Sequence, residues 1–199
     1  MKRELTLPID EKTTRGLRVG DILYLTGQLF TARDEAHHLM LEAHERGEPL
    51  PFDASQMALF HCGPVVRKTD NNWEVIAAGP TTSIRMELFE ERFLEAFRPA
   101  IVIGKGGMGD RTQTALETVG AVYTHYTGGA GALAAGRIKR VESVYWLEEL
   151  GMPEAAWIFA VRDFGPLLVT MDSDGGNLYR QLEPTIAENM QAILARIEG

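Results

Sequence analysis

The sequence predicts an α/β protein with a parallel central sheet and a separate layer of antiparallel strands. Strand and helix patterns alternate through the middle of the chain, which is typical of parallel βαβ units. Strand patterns without intervening helices precede and follow that middle part. The composition, 45% hydrophobic and 24% charged over 199 residues, is that of an ordinary globular protein. We expect one domain spanning residues 1–199.

The first part of the chain is rich in predicted strands. Residues 21–31 (DILYLTGQLFT) are apolar, β-branched and aromatic, which predicts a strand. Residues 33–45 carry a partial apolar stripe, which predicts a helix that Asp34 would cap. Two further strands are predicted over residues 57–67 and 73–78, joined by the turn residues 69–72.

Helix and strand patterns then alternate. Apolar residues at helical spacing predict a helix over residues 81–97, capped by Thr81 or Thr82 and ended before Pro99. The following elements are, in order, a strand over 100–103, a helix over 110–119 capped by Asp110 and ended by Gly120, a strand over 121–126, and a short helix through Ala135.

Strands return in the last part of the chain. They are predicted over residues 143–146, 156–161 and 167–171, followed by a turn at 173–176. Residues 183–197 predict a helix, with Ile186, Met190, Ile193 and Ile197 on one face.

Composition limits the function and the location. The net charge of −8 argues against a nucleic-acid surface, which would carry a basic patch. Cys62 is the only cysteine, so the chain holds no intrachain disulfide and no complete set of iron–sulfur ligands. The first eight residues lack the apolar run of a signal peptide, and no stretch is long enough to cross a membrane. We therefore expect a cytoplasmic protein.

Residues 79–87 (GPTTSIRME) form the first candidate binding motif. The Gly-Pro pair predicts a turn that opens a helix, where free backbone N–H groups favour an anion. Arg85 lies one helical turn beyond Thr81, so both side chains can face the same ligand. A capped helix with a surface arginine explains the same residues about equally well.

Residues 103–109 (IGKGGMG) form the second candidate motif. Lys105 lies among glycines that let the backbone approach a ligand closely. With the first motif, this predicts a site for a small, doubly negative substrate such as a dicarboxylate. Gly104–Gly109 also matches the dinucleotide fingerprint, although no carboxylate follows at the end of the next strand. A nucleotide-binding module is therefore the alternative from a different class.

Arg33 is a further candidate for binding an anion, because it follows a predicted strand. The other polar residues have simpler explanations. His37, His38 and His44 do not share one helical face, and we expect them to face solvent or a partner rather than a metal. His61 and Cys62 fit a strand pattern and are expected in the core. The glycines of residues 127–131 favour close packing of a helix over a second anion turn.

Five segments in order resemble the β-type chain of the iron–sulfur hydro-lyases, the class I fumarases and L-tartrate dehydratases. They are AGPTTSIRME (78–87), IGKGGMG (103–109), TGGAGALAA (127–135), LGMPEAAW (150–157) and DFGPLLVTMD (163–172). The resemblance covers nearly the whole chain and implies a swivelling β/β/α domain of three layers. It also implies reversible addition or elimination of water on a dicarboxylate.

The resemblance further implies roles for individual residues and a partner. Thr81 is the candidate catalytic base, while Arg33, Arg85, Lys105 and Thr82 bind the substrate. A [4Fe–4S] cluster is implied in a cluster-bearing α subunit, without which this chain is inactive. A higher α/β oligomer, or a homodimer in isolation, is consistent with such a subunit.

We therefore expect the β subunit of a two-component fumarate hydratase. L-tartrate dehydratase is the alternative with the same machinery. A scaffold that only stabilises its partner is a third interpretation, and substitution of Arg85 or Lys105 would then leave activity intact.

Overall fold

A computed structural model describes residues 1–70 and 72–198. The alternation of strands and helices through the middle of the chain is confirmed. In chain order the elements are β1 (Lys2–Thr6), α1 (Glu11–Thr14), β2 (Ile22–Thr31), α2 (Asp34–Glu45), β3 (Ala58–Phe60), β4 (Val65–Lys68), β5 (Trp73–Ala77), a 3-10 turn (Ser83–Met86), α3 (Glu87–Phe97), β6 (Ile101–Gly104), α4 (Asp110–Val119), β7 (Val122–His125), α5 (Gly131–Ala135), β8 (Ile138–Tyr145), α6 (Leu147–Leu150), β9 (Ala156–Met171) and α7 (Leu178–Glu198).

The main sheet is mostly parallel, as predicted. Its strand order is β1-β2-β3-β6-β7-β9-β8, and the first four neighbouring pairs are parallel. Strand β9 runs antiparallel to β7 and β8, and it also pairs with β2. Because β9 closes back on β2, the strands β2, β3, β6, β7 and β9 form a ring.

The predicted separate layer of antiparallel strands is confirmed, but it is smaller than expected. It consists of β4 and β5, whereas β8 and β9 belong to the main sheet. The two strands predicted over 156–161 and 167–171 are one continuous strand, β9. The strand predicted over 57–67 is divided between β3 and β4, which lie in different sheets. Thr69 and Asn72 close the predicted turn by backbone hydrogen bonds, and Asn71 lies outside the described residues.

Two apolar clusters hold the sheet between its neighbours. One contains Leu25, Phe60, Trp157 and Phe164 and includes apolar side chains from every strand of the ring. The other packs α2, α3 and α4 against the sheet through residues such as Phe30, Met40, Phe93 and Leu116. The helices therefore cover one face of the sheet, while the β4–β5 hairpin packs against β8 and α5.

The predicted capping residues are wrong at two helices. Arg33 and Gly109 occupy the N-cap positions of α2 and α4, so Asp34 and Asp110 are the first helical residues. The helix predicted over 81–97 begins with the 3-10 turn, where Thr82 occupies the N-cap position as predicted, although its side chain makes no capping hydrogen bond. The other end of α4 agrees with the prediction, since Gly120 adopts the left-handed conformation that ends the helix.

The predicted C-terminal helix is confirmed as α7, which begins five residues earlier, at Leu178. Its predicted apolar face is exposed, because Ile186, Met190, Ile193 and Ile197 each keep half or more of their surface accessible. None of the helices in the described residues is both long enough and apolar enough to cross a membrane.

Candidate active site at the carboxyl ends of the parallel strands

Two of the predicted site residues follow parallel strands. Arg33 comes after β2 and Lys105 directly after β6, and β3 lies between these two strands. Because β2, β3 and β6 run in the same direction, their carboxyl ends meet at one edge of the sheet. Ligands of parallel α/β sheets bind at this edge. The loop that follows β5 carries Thr81 to the same place.

Thr81 and Lys105 are joined by backbone hydrogen bonds. The Thr81 amide donates to the carbonyl of His61 at 2.6 Å, and the Lys105 amide donates to the carbonyl of Thr81 at 3.3 Å. The Ser83 amide in turn donates to the Lys105 carbonyl at 3.1 Å. We call this pair of hydrogen-bonded segments, residues 81–83 and 104–106, the loop junction. The two motifs that the sequence singled out are therefore one structural unit.

Ser83 is the buried centre of the loop junction. Its Oγ lies 2.9 Å from His61 Nδ1 and 2.9 Å from the hydroxyl of Tyr123. A Cβ added at Gly104 would overlap this Oγ, which explains the glycine at this position of the second motif. Tyr179 donates a hydrogen bond to the Gly106 carbonyl from the first turn of α7. Side chains from β7 and α7 thus hold the junction in place.

Arg85 lies at the surface beside the start of α2. Its guanidinium donates to the Asp34 carboxylate at 2.8 Å, and about half of its side chain is exposed. Asp34 immediately follows Arg33, so this ion pair ties the first motif to the end of β2. Arg85 is therefore positioned by a carboxylate that a substrate carboxylate would have to displace.

Arg33 is held by a second internal carboxylate. Its Nε lies 3.2 Å from Glu154 Oε1, and both side chains are about one-fifth exposed. The guanidinium crosses Gly63, where an added Cβ would lie 2.5 Å from Arg33 Nη1. Arg33 consequently lies beside the segment that pairs with the loop of Thr81, through the bridge between Cys62 and Pro80.

Lys105 has different surroundings from the two arginines. It belongs to none of the ion pairs formed within residues 1–70 and 72–198. A Cβ added at Gly128 would lie 3.6 Å from its Cδ, so its stem runs along the loop after β7.

Gly131, at the end of the loop after β7, packs against the backbone of Gly79, and its carbonyl accepts a hydrogen bond from the Ala78 amide at 3.0 Å. The prediction of close packing is thereby confirmed at Gly131, whereas a Cβ at Gly129 would meet no atom within 4 Å.

The start of α4 is occupied by a side chain of this protein. Glu87 accepts hydrogen bonds from the amides of Gly109 and Arg111 at 2.7 and 3.2 Å, and from the Thr112 hydroxyl at 2.7 Å. In dinucleotide-binding proteins the pyrophosphate takes this position at the helix N-terminus. The Glu87 carboxylate therefore blocks the anion site on which the nucleotide-binding alternative depends.

A buried cluster of His37, His61 and Glu90 lies beneath the loop junction. None of the three side chains is exposed to solvent. Glu90 Oε2 lies 3.3 Å from the Nε2 atoms of both histidines. Burial by itself would raise the pKa of Glu90, but the two histidines lower it by a larger amount. The pKa of Glu90 therefore falls to about 2. The three side chains are also a donor set that suits a transition metal.

The prediction for the histidines is therefore partly wrong. His38 and His44 are exposed, as expected, but His37 is buried against the rings of Phe89 and Phe93. The sequence contains a signal for this cluster that the prediction missed. Glu90 lies between Met86 and Phe93 on the apolar face of α3, and a carboxylate on such a face must have a buried partner. Ser83, Tyr123 and Tyr179 carried no comparable signal.

A cavity of about 110 Å³ lies away from the loop junction, and residues such as Ile9, Thr14 and Gly120 line it. Pro99 and Ala121, which precede β6 and β7, also contact it, so it lies at the opposite edge of the sheet. At the loop junction itself, Thr82 and Arg85 are exposed. The candidate site is accordingly an open face.

Known proteins resemble this chain over almost its full length. Residues 2–182 match the family model described as "Fumarase C-terminus". The L(+)-tartrate dehydratase subunit beta of Escherichia coli strain K12 is 42% identical over 197 residues, which cover 99% of this chain and 96% of that protein. A putative L(+)-tartrate dehydratase subunit beta of Methanocaldococcus jannaschii is 41% identical, with coverage of 94% and 95%.

A longer protein also contains a similar segment. The putative fumarate hydratase class I of Geobacillus stearothermophilus is 42% identical over 192 residues, which cover 95% of this chain but 36% of that protein. The resemblance inferred from the five sequence segments is thus confirmed. With a family model that matches 2–182 and relatives that match from end to end, this chain belongs to the fumarase C-terminal domain family.

Proposed function

We propose that this protein is the β subunit of a two-component hydro-lyase that adds water to, or removes it from, a four-carbon dicarboxylate. The loop junction carries the proposal, because it joins Thr81 to Lys105 beside two arginines at one edge of the sheet. Three cations around one hydroxyl suit a substrate with two negative charges. The names of its relatives, a tartrate dehydratase subunit and a fumarate hydratase, support the same reaction class.

The cations in this proposal bind and orient the substrate carboxylates. Arg85 and Arg33 each offer a planar fork that binds a carboxylate through two hydrogen bonds, and Lys105 adds a point charge. Thr82, exposed beside Lys105, contributes a further hydroxyl. Loss of a proton next to a carboxylate increases the negative charge on that carboxylate. The same cations therefore stabilise the transition state more than the ground state.

Thr81 is the proposed proton acceptor. An ordinary threonine hydroxyl is a weak base, so it needs a partner group that takes up its own proton. Within this chain, its backbone amide and carbonyl are both held by the loop junction, which fixes the position of the side chain. We propose that an acidic residue of the α subunit supplies the partner group.

The open face agrees with a site that a second subunit completes. Arg85 is half exposed and paired with Asp34, so a carboxylate binds there in competition with an internal one. Closure by a partner would remove water and strengthen each of these ion pairs. We propose that the chain is inactive alone for this reason.

This chain does not contain enough cysteine ligands to hold the iron–sulfur cluster of this enzyme class. A [4Fe–4S] cluster is held by several cysteine thiolates, whereas Cys62 is the only cysteine. Cys62 is also buried, and burial raises the pKa of its thiol, which keeps it protonated. The cluster in this proposal therefore belongs to the α subunit, and the chemistry of this chain is binding and proton transfer.

Fumarate and L(+)-tartrate are the two candidate substrates. Fumarate hydration is the first candidate, since the relative named fumarate hydratase is 42% identical over the matched residues. Tartrate dehydration is the second, and a specific observation favours it. The match to this chain covers nearly the full length of the relatives named tartrate dehydratase subunit beta. The match to the fumarate hydratase covers about a third of that protein.

The finer structural expectations belong to the same proposal. The curled sheet with helices on one face and a separate hairpin supports a three-layer β/β/α domain of the swivelling type, with residues 1–199 acting as one catalytic unit. We propose that it works in the cytoplasm as part of an α/β oligomer, and the acidic composition is consistent with that location.

The test is anaerobic assembly with an α subunit of the same enzyme class, followed by assays of fumarate hydration and L-tartrate dehydration side by side. Turnover of either substrate supports the proposal, and the ratio of the two rates identifies the substrate. Retention of full activity in both Arg85→Ala and Lys105→Ala would indicate a scaffold and contradict the proposed roles. Thermal stabilisation of the chain by NAD or ATP would instead revive the nucleotide-binding alternative.

A further inference from the structure

Glu90 is a buried carboxylate that has no role in the proposed chemistry. It lies on α3, one shell below the loop junction, and its side chain has no exposed surface. We propose that Glu90 is a positioning residue that holds the Thr81 and Lys105 segments against each other, acting through His61 and Ser83. Its importance for catalysis rests on the proposed function, but its effect on the loop junction does not.

The side chains between Tyr179 and Glu90 form a chain of hydrogen bonds in which each donor can be assigned. The Tyr123 hydroxyl lies 3.1 Å from the Gly106 carbonyl, which Tyr179 already donates to, and 2.9 Å from Ser83 Oγ, so we take the shorter contact with Ser83 as its hydrogen bond. Ser83 then donates its own proton to His61 Nδ1 at 2.9 Å. A neutral His61 consequently carries its proton on Nε2, which faces Glu90 at 3.3 Å.

His37 completes the surroundings of Glu90 from the other side. Its Nδ1 lies 2.7 Å from the Arg33 carbonyl, which only accepts, so this nitrogen carries a proton. Its Nε2 faces the same Glu90 oxygen at 3.3 Å. Both histidine rings therefore meet Glu90 at the same carboxylate oxygen.

The same three side chains are also a ligand set for a divalent metal ion, since two histidines and one carboxylate are a common combination at such sites. A bound metal would give Glu90 a different role, so elemental analysis is part of the test.

The cluster reaches the proposed catalytic residues through short connections. The backbone carbonyl of His61 accepts a hydrogen bond from the Thr81 amide at 2.6 Å, and the His61 ring is hydrogen-bonded to Ser83. The Ser83 amide binds the Lys105 carbonyl at 3.1 Å. Movement of the His61 ring therefore shifts one segment directly and the other through Ser83. Displacements of about 1 Å in an active site can lower a rate about 100-fold.

Amide hydrogen exchange of the full chain tests the proposal without any activity. In Glu90→Gln, the charge is lost while the shape is retained. We expect the amides of Thr81, Ser83 and Lys105 to exchange at least about tenfold faster, relative to amides in β9, because the junction opens locally. Ser83→Ala removes a single oxygen and should give the same pattern, so it provides the test if Glu90→Gln fails to fold.

A double-mutant cycle separates positioning from general stability. If Glu90 acts through Ser83, the effect of Glu90→Gln on these amides should largely vanish in the Ser83→Ala background. Val119→Ala is the matched control, since Val119 is a buried residue at the far end of α4. It should accelerate exchange only through global unfolding and should be additive with Glu90→Gln.

Two results would overturn the proposal. One is additivity of Glu90→Gln with Ser83→Ala, or uniform loss of protection across the chain, because either marks Glu90 as a merely structural residue. The other is a stoichiometric metal ion, detected by elemental analysis of the purified chain and lost in Glu90→Gln. In the assembled enzyme, we also expect Glu90→Gln to lower kcat about tenfold or more. An enzyme that turns over neither substrate would contradict the proposed function and leave the exchange result standing.

Discussion

At the scale of single residues, the two arginines of the proposed site are already paired with carboxylates of the same chain. Asp34 binds Arg85 and Glu154 binds Arg33, each within 3.2 Å. These pairs hold the guanidinium groups in place without a substrate. In the proposed function, binding exchanges one carboxylate for another, so we expect it to depend on geometry more than on net charge.

Arg85→Lys tests that dependence on geometry. Lysine keeps the charge but loses the planar fork, so we expect KM of the assembled enzyme to rise about tenfold or more. Thermal stability should hardly change, because the ion pair between Arg85 and Asp34 is half exposed. The measurement is steady-state kinetics beside a melting curve.

Arg92→Lys is the matched control for this change. Arg92 forms an exposed ion pair with Glu45, away from the loop junction. A KM of Arg85→Lys within twofold of the Arg92→Lys value would contradict the binding role of Arg85.

Glu90 makes a prediction about stability and pH. The histidines from α2 and from the end of β3 lower its pKa from 4.5 to about 2. A carboxyl whose pKa is lower in the folded state stabilises the fold above its unfolded pKa, and this contribution is lost as the pH falls through the folded value. The free energy of unfolding should therefore decrease between about pH 5 and pH 2.

Comparison with Glu90→Gln isolates this contribution from those of other carboxyls. The difference in unfolding free energy between the two proteins should shrink as the pH falls, by about 1.4 kcal/mol for each unit of pKa shift. Urea titrations at several pH values measure it. A difference that stays constant from pH 6 to pH 3 would show that folding does not lower the Glu90 pKa.

The candidate site could be predicted only in part from the sequence. Lys105 and Thr81 were identified because glycine, threonine and lysine have local signatures, and the structure joins their segments. Ser83 and Glu90 act through contacts with residues distant in the chain, such as Tyr123. No local pattern marks such contacts, except that a charged residue on an apolar helix face requires a buried partner.

At the scale of elements, the strands and helices followed local patterns well, but their grouping into sheets did not. Leu167–Met171 continues Ala156–Val161 as one strand although Gly165 and Pro166 lie between them. Glycine and proline normally interrupt a strand, and the pairing of β9 with β2 and β7 overrides this local preference. Tertiary pairing also explains why residues 57–67 are divided between two sheets.

Glu87 illustrates how one element is capped by another. It is the first residue of α3, yet its carboxylate binds the amides at the start of α4. Removing such a cap typically costs about 1 kcal/mol and up to about 2 kcal/mol. We expect Glu87→Ala to lower the free energy of unfolding by that amount in urea titrations.

The control for Glu87 lies on the same helix. Glu95 is exposed on α3 and belongs to none of the ion pairs in the described part of the chain. Glu95→Ala should change stability by less than about 0.5 kcal/mol. Equal losses in the two variants would mean that Glu87 contributes helix propensity alone and no cap to α4.

At the scale of the whole molecule, one face and most of one helix lack partners among residues 1–70 and 72–198. The loop junction opens to solvent beside the half-exposed Arg85. Beyond its first turn, α7 packs on little else, and its apolar residues from Ile186 onward are exposed. The family match ends at residue 182, close to the point where α7 leaves the body of the protein. The fold that positions the site therefore does not need the outer part of this helix.

Truncation at two points of α7 tests whether the fold needs the first turn of this helix but not its outer part. Removal of residues 183–199 should leave the melting temperature within about 2 °C, because the side chains removed through Ile197 are exposed. Pro184 already lacks the N–H that would bond to the carbonyl of Arg180, so the helix is weakest near this point.

A cut after Asn177 should have a larger effect. It also removes Tyr179, which donates to the Gly106 carbonyl and packs its ring against Gly107. We expect a loss of several degrees and faster amide exchange at Lys105, since the loop junction loses one of its anchors. Thermal unfolding followed by circular dichroism, with exchange measured on both truncated chains, gives the comparison. If the two chains melt together, Tyr179 is no anchor, and α7 is as dispensable at its first turn as at its end.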